Sequence, residues 1–446
     1  MKRIFSIFLI ALVSGALLSI SAFGGTSHTK YKKTTLKNGL AVIIKSNPDS
    51  RVLGLNIIGK SRVLLEPSEQ TGIADFVNRM LTKGTTTRSA EELSKDLDAI
   101  GANIITNDNP YIPYDDRYTT PAYTFVKFET IDEFTEKGLG LLSDIVKNPS
   151  FPEGEIRKTK MQVKRLQAME EESTYKACRK LFYSVLFSFH PYNRPILGKN
   201  ETVESFTRQD LLDFHKYFYA PENLILTVVT NYPPDKMLKL VRKYFGDMKP
   251  SGKSYLQFSV PEKSRVKKTA QFRMEKEQVY IYLGNLTCGI KSEDAIPLVV
   301  ATAILSSHLG LELREVQGLA YSVGSTVKFD RDFGWFYVSM GTGWENFTTA
   351  KEGILAEISK MKDSYVSERE LSRAVNSLWG SMLTARLARN NQAYYMGLNE
   401  YLGVGYDYED EYLKKLKKVT KEQVQEVAQK YFDTETYTIA YVGKMK

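Results

Sequence analysis

The two halves of this 446-residue chain repeat each other at a fixed spacing. Gly138-Leu-Gly-Leu-Leu stands ahead of Glu155-Ile-Arg as Gly353-Ile-Leu-Ala-Glu stands ahead of Glu370-Leu-Ser, and both pairs lie 215 residues apart. Further on, Thr207 through Tyr217-Phe218 and the apolar run Leu224 to Val229 resemble Thr420 through Tyr431-Phe432 and the run Tyr437 to Val442, each an amphipathic helix feeding a strand. Two amphipathic helices can agree by chance, and the constant offset argues against that. The pattern implies an α+β chain of two homologous modules in tandem, facing each other across a cleft of the kind that commonly holds ligands. Residues 30–248 form the expected first module and 269–446 the second. Between them, residues 249–268 carry Pro250, Gly252 and Pro261 among charges with no helical period, as a linker does.

The first residues read differently. Lys2 and Arg3, an apolar run from Ile4 to Leu18 and small residues at Ser21 and Ala22 make a secretory signal peptide of residues 1–22, so a periplasmic or secreted protein is expected. An uncleaved anchor is the alternative, though the run is shorter than the ~20 residues a spanning helix needs. Removing Lys2 and Arg3 takes 61 basic residues to 59 against 52 acidic ones, a formal charge of +7. That excess is spread along solvated faces such as Lys414 to Lys421, without interleaved aromatics, which argues against nucleic acid as a partner. Cys178 and Cys288 fall in different modules, so they read as two unrelated buried thiols rather than a disulfide.

Several runs then match one family in order along nearly the whole mature chain. Leu36-Lys-Asn-Gly-Leu-Ala-Val-Ile-Ile is followed by Gly72-Ile-Ala-Asp-Phe-Val-Asn-Arg-Met-Leu, Ser89-Ala-Glu-Glu-Leu and Gly101-Ala-Asn. His190-Pro-Tyr-Asn-Arg-Pro-Ile-Leu-Gly, Phe214-His-Lys-Tyr-Phe and Leu313-Arg-Glu-Val-Gln-Gly-Leu-Ala-Tyr-Ser come later. Together they resemble the insulinase/pitrilysin family of zinc peptidases. Its H-x-x-E-H motif supplies two histidine ligands and a glutamate that activates the metal-bound water. The corresponding helix here puts Asp75 at the first histidine, Asn78 at the general base and Arg79 at the second histidine. Arginine stays protonated and offers zinc no lone pair, and an amide cannot take a proton from water, so no metal is expected on this chain. The third ligand position falls at Lys164 or Arg165, and Glu170 to Glu172 lie about 7 Å further along the helix, too far for the same site. Asp75 and Arg79, four apart, are expected to pair on an exposed helix for about 0.5 kcal/mol.

The resemblance also implies a second constellation. Arg314 and Tyr321 match an arginine and tyrosine that, in the family, reach across the cleft to the substrate backbone and its developing oxyanion. From spacing alone they read as a surface arginine beside Glu315 and a packed tyrosine. The glycine-rich loop that often precedes the arginine is short here, Ser306-Ser-His-Leu-Gly310. His28, His190, His215 and His308 are too scattered for a metal site. The segment Asn107 to Tyr123, with Pro110, Pro113 and Pro121 among four tyrosines, is longer than the family pattern and reads either as a partner-contacting loop or as a proline-stiffened surface loop. The resemblance therefore implies a non-catalytic, substrate-binding subunit of a heterodimeric zinc metallopeptidase. The partner chain would bear H-x-x-E-H and the zinc, and peptides or unfolded segments would be the substrate. A peptide-binding or structural scaffold is the alternative.

Overall fold

The computed structural model describes residues 30–108, 120–253 and 260–444. The expected signal peptide and most of the proline- and tyrosine-rich segment after Asn107 lie outside the described residues. Two sheets carry the fold. The first contains β1 (Lys30–Thr35), β2 (Ala41–Ser46), β3 (Val52–Lys60), β4 (Asn103–Ile105), β5 (Tyr123–Ile131) and β6 (Leu224–Thr230), in the order β1-β2-β6-β3-β5-β4. The second contains β7 (Lys268–Arg273), β8 (Gln278–Cys288), β9 (Ser322–Phe329), β10 (Phe333–Gly343) and β11 (Thr438–Gly443), in the order β7-β11-β8-β10-β9. β2 runs parallel to β6 as β7 does to β11, and every other pair is antiparallel. With β1 set aside as an added edge strand, the two sheets have one topology. Helices Glu153–Glu171 and Glu368–Ala385 begin 215 residues apart, the spacing read from sequence.

The strand residues explain why the central strands of both sheets are covered on both faces, while the edge strands β1, β7 and β9 stay partly exposed. β6 reads Leu-Ile-Leu-Thr-Val-Val-Thr and is buried at every position, which a sheet covered on both sides requires. On one face lie helices of its own module, with Phe76, Leu142 and Phe218 among the residues of that core. The other face is covered by helix Arg389–Leu402 from the second module, packed over β3 and β6. Helix Thr174–Leu186 of the first module packs in return over β8 and β11. Their starts are again 215 residues apart, so each module lends the equivalent helix to the other's sheet.

Close approach at this junction leaves room for nothing larger than glycine at Gly54, where a Cβ would stand 2.4 Å from the backbone carbon of Arg389. Thr227 Oγ1 donates to the Ala393 carbonyl at 2.6 Å, and the Cys178 thiol sits 3.2 Å from the carbonyls of Tyr280 and Ala440. Cys178 is buried between the modules, while Cys288 is only half-buried, and both are free. Around Cys178 an aromatic layer that includes Phe182, Tyr282, Tyr337 and Trp335 forms one continuous core, while Cys288 packs against the second module's own core. The modules thus face each other through packed side chains, and the space left between them is a cavity of about 350 Å³.

Among the described residues one helix, Ala295–Val316, is long and apolar enough to cross a membrane, and 56% of its apolar window is buried inside the second module. Its last turns, Gly310–Val316, are wound wider, as π-helix, and Gly318 follows with φ at 64°. This is the segment that holds Arg314.

Candidate functional site

The helix Ile73–Met80 starts from a tight corner. Gly72 has φ at 94° and packs against Gly198, and the buried carboxylate of Glu66 accepts from the backbone N–H groups of Gly72 at 3.0 Å and Ala74 at 3.1 Å. The helix is buried on nearly every face, so its polar residues must find partners inside the protein. Asp75 finds three. Arg62 Nη2 donates to its Oδ1 at 2.6 Å, Arg79 Nε donates to Oδ2 at 2.5 Å, and Asn107 Nδ2 donates to Oδ1 at 3.1 Å. The expected exposed Asp75–Arg79 pair is therefore corrected to a buried triad. Arg62, distant in sequence, is the member the i, i+4 spacing could not reveal.

Asn78 is equally committed. Its amide donates to the carbonyls of Thr106 at 2.5 Å and Phe125 at 3.3 Å, and its oxygen accepts from the Tyr219 phenol. Burial raises the pKa of that phenol, which keeps it a donor. Among the described residues no group of three His, Cys, Asp or Glu is placed to hold a metal. The donor set at Asp75 does not fit zinc in any case, because both carboxylate oxygens are engaged and the flanking groups are guanidiniums.

Sequence comparison places this geometry. The profile described as Insulinase (Peptidase family M16) matches residues 42–200, and the one described as Peptidase M16 inactive domain matches residues 205–378. The chain belongs to the insulinase family. The Bacillus subtilis protein named uncharacterized zinc protease YmxG is 28% identical over 416 residues, covering 92% of this chain and 98% of that one. A crystal structure described as a peptidase M16 inactive domain from Pseudomonas fluorescens superposes with a TM-score of 0.85 at 17% identity, over 94% of this chain and 99% of that chain. A protease from Helicobacter pylori does so with a TM-score of 0.84 at 20% identity, over 93% and 99%. These two structures share the fold. The second family match begins inside the first module, because β6 returns to the first sheet after residue 205.

In this insulinase-family chain of the inactive type, the positions expected for metal ligands are filled by an ion-pair network. Lys164 pairs with Glu204, and Arg165, like Lys164, is exposed, so neither expected third-ligand position turns inward. Leu166 and Glu170 do, and both line the interdomain cavity together with Arg79. Glu170 shares this cavity with Arg79, one turn and more beyond the positions expected for the third ligand. Burial raises the Glu170 pKa. His215 is buried against Phe151 and Tyr219, its Nε2 donates to the Val146 carbonyl at 2.8 Å, and burial lowers its pKa to about 4. His190 Nδ1 accepts from the Tyr192 N–H, and His308 Nε2 lies 2.7 Å from Glu370. All three are packing or surface-pair residues.

Arg314 and Tyr321 stand apart from the triad and do not line the cavity. The Arg314 guanidinium lies on the surface against Glu315, at 2.7 and 2.8 Å, and Tyr321 is 90% exposed. Tyr321 is therefore not packed in the strand it precedes.

Proposed function

We propose that this chain is the non-catalytic, substrate-binding subunit of a heterodimeric zinc metallopeptidase of the insulinase family, acting in the periplasm or outside the cell on peptides or unfolded segments. A partner chain of similar length bearing H-x-x-E-H brings the zinc, and this chain brings Arg314 and Tyr321. One contrast carries the reading. The position that would bind metal is closed by the Arg62–Asp75–Arg79 triad, whereas Arg314 and Tyr321, the two donors suited to a peptide carbonyl, lie on the surface outside the cavity, so a metal-bound carbonyl for them to grip would come from another chain. Substrate would bind extended, adding a strand to a sheet edge, so selection rests on unfoldedness and size more than on sequence.

The scaffold reading draws on one observation, the Arg314–Glu315 contact, which leaves the arginine paired in the isolated chain. Mixing decides between the two. The chain alone is expected to cleave no peptide, and combining it with a zinc-bearing partner of the family is expected to create activity that neither has alone, in a complex of about twice the monomer mass. A partner that is fully active alone and gains nothing would sink the two-chain reading.

A further inference from the structure

Arg79 is held at one end only. Its Nε donates to Asp75, and among the described residues its two terminal Nη groups have no partner, although the side chain is only 13% exposed and lines the interdomain cavity. A largely buried guanidinium fixed through Nε presents both Nη groups as a fork matched to a carboxylate. Arg62 already balances the Asp75 charge, so Arg79 carries its positive charge into the cavity. Among the described residues the cavity lining holds six basic side chains against three acidic ones, Asp108, Glu170 and Asp330. Of those three, Asp330 is spoken for by the Tyr192 phenol and the Arg331 N–H. Glu170 has no basic group within ion-pair distance among the described residues, so it does not occupy the Arg79 fork. The walls are apolar and aromatic, from Tyr175, Tyr183 and Trp335. A volume of about 350 Å³ lies at the small end of ligand pockets and admits a chain end, not a folded domain.

We propose that the interdomain cavity of this chain binds the C-terminal carboxylate of a peptide, gripped by the Nη groups of Arg79, with the last side chains of the peptide against the tyrosine and tryptophan walls. This deepens the peptide-binding part of the function proposed above by giving the non-catalytic subunit a grip of its own on the end of its substrate. A single guanidinium fork suits a monoanionic carboxylate, and the acid group of Glu170 nearby disfavours a dianion.

The test uses the full mature chain and fluorescence anisotropy of an N-terminally labelled hexapeptide ending in Tyr-Leu, with either a free carboxylate or a terminal amide. The free acid is expected to bind about tenfold tighter or better than the amide. Arg79→Lys keeps a cation for Asp75 but loses the fork, and is expected to abolish most of that ratio while circular dichroism stays unchanged. Equal affinity for acid and amide on the unmodified chain would overturn the proposal without any variant. So would an acid preference that survives Arg79→Lys, and free leucine displacing the probe as well as the unlabelled hexapeptide would overturn the assignment to a peptide end. The outcome is separable from the two-chain reading: no acid preference with full activity of the mixed subunits removes only this site, and an acid preference without activity on mixing removes only the peptidase role.

Discussion

Three charged groups meet at Asp75, and the removal of one strands the others. Asp75→Ala leaves the Arg62 and Arg79 guanidiniums facing each other with 3% and 13% of their side chains exposed, and breaking a buried ion pair in this way is worth roughly 3 to 5 kcal/mol. Urea unfolding should show a loss of that order, where an exposed i, i+4 pair would give about 0.5 kcal/mol. The purified chain should also retain no stoichiometric zinc; about one zinc per chain, lost in Asp75→Ala, would contradict the chemistry assigned to this position. Glu66 adds a pH signature. Burial pushes its carboxyl up to about 7, above the ordinary 4.5, so the folded state binds its proton more tightly than the unfolded one. The stability this gives is fully present below pH 4.5 and is lost as pH rises through 7, on the order of 3 kcal/mol across that window. His215, held near 4, acts in the opposite sense, losing stability as pH falls from 6.5. The Glu66 part is therefore read as the difference in slope between the parent chain and Glu66→Gln from pH 4.5 to 7. Parallel slopes would mean that Glu66 ionises in the fold as it does in water.

The elements show what sequence can and cannot encode. The 215-residue offset was legible because each repeated helix and strand carries its own periodic pattern, and the two sheets do share one topology. The pattern of helix Thr174–Leu186 marks which residues are apolar but not which sheet they meet, so its exchange with Arg389–Leu402 was not legible. The same limit hid Arg62: Asp75 and Arg79 lie on one helix, whereas Arg62 arrives from the loop after β3. Two glycines test the packing at this scale. Gly54→Ala places a methyl group against the Arg389 backbone and should destabilise by about 1 to 3 kcal/mol as helix Arg389–Leu402 is pushed off β3. Gly380, in the interior of helix Glu368–Ala385, has open space at its Cβ, so Gly380→Ala should stabilise by roughly 0.5 to 1 kcal/mol. Urea midpoints of the two variants should move in opposite directions. Equal shifts would mean that the close approach at Gly54 is not a constraint.

At the scale of the whole molecule, the two modules share one aromatic core, so what the chain offers to others is its surface. Arg314 and Tyr321 belong to that surface, and their exposure separates two outcomes that a buried pair would confound. Arg314→Ala and Tyr321→Phe should each leave the urea midpoint of the chain within about 0.5 kcal/mol, because exposed side chains contribute little to folding. In the complex with a zinc-bearing partner, assembly and zinc content should likewise be unchanged. Turnover should fall, by roughly 10² to 10³ for a lost oxyanion donor, with the arginine also raising KM if it holds the substrate backbone. The Glu315 contact must open for this to happen, so Glu315→Gln should preserve activity by freeing the fork it now holds. If the pair grips one oxygen, the double variant should lose less than the two single losses combined. Steady-state kinetics on both singles and the double decides it: turnover equal to the parent in both singles would return Arg314 and Tyr321 to ordinary surface residues and put the scaffold reading first.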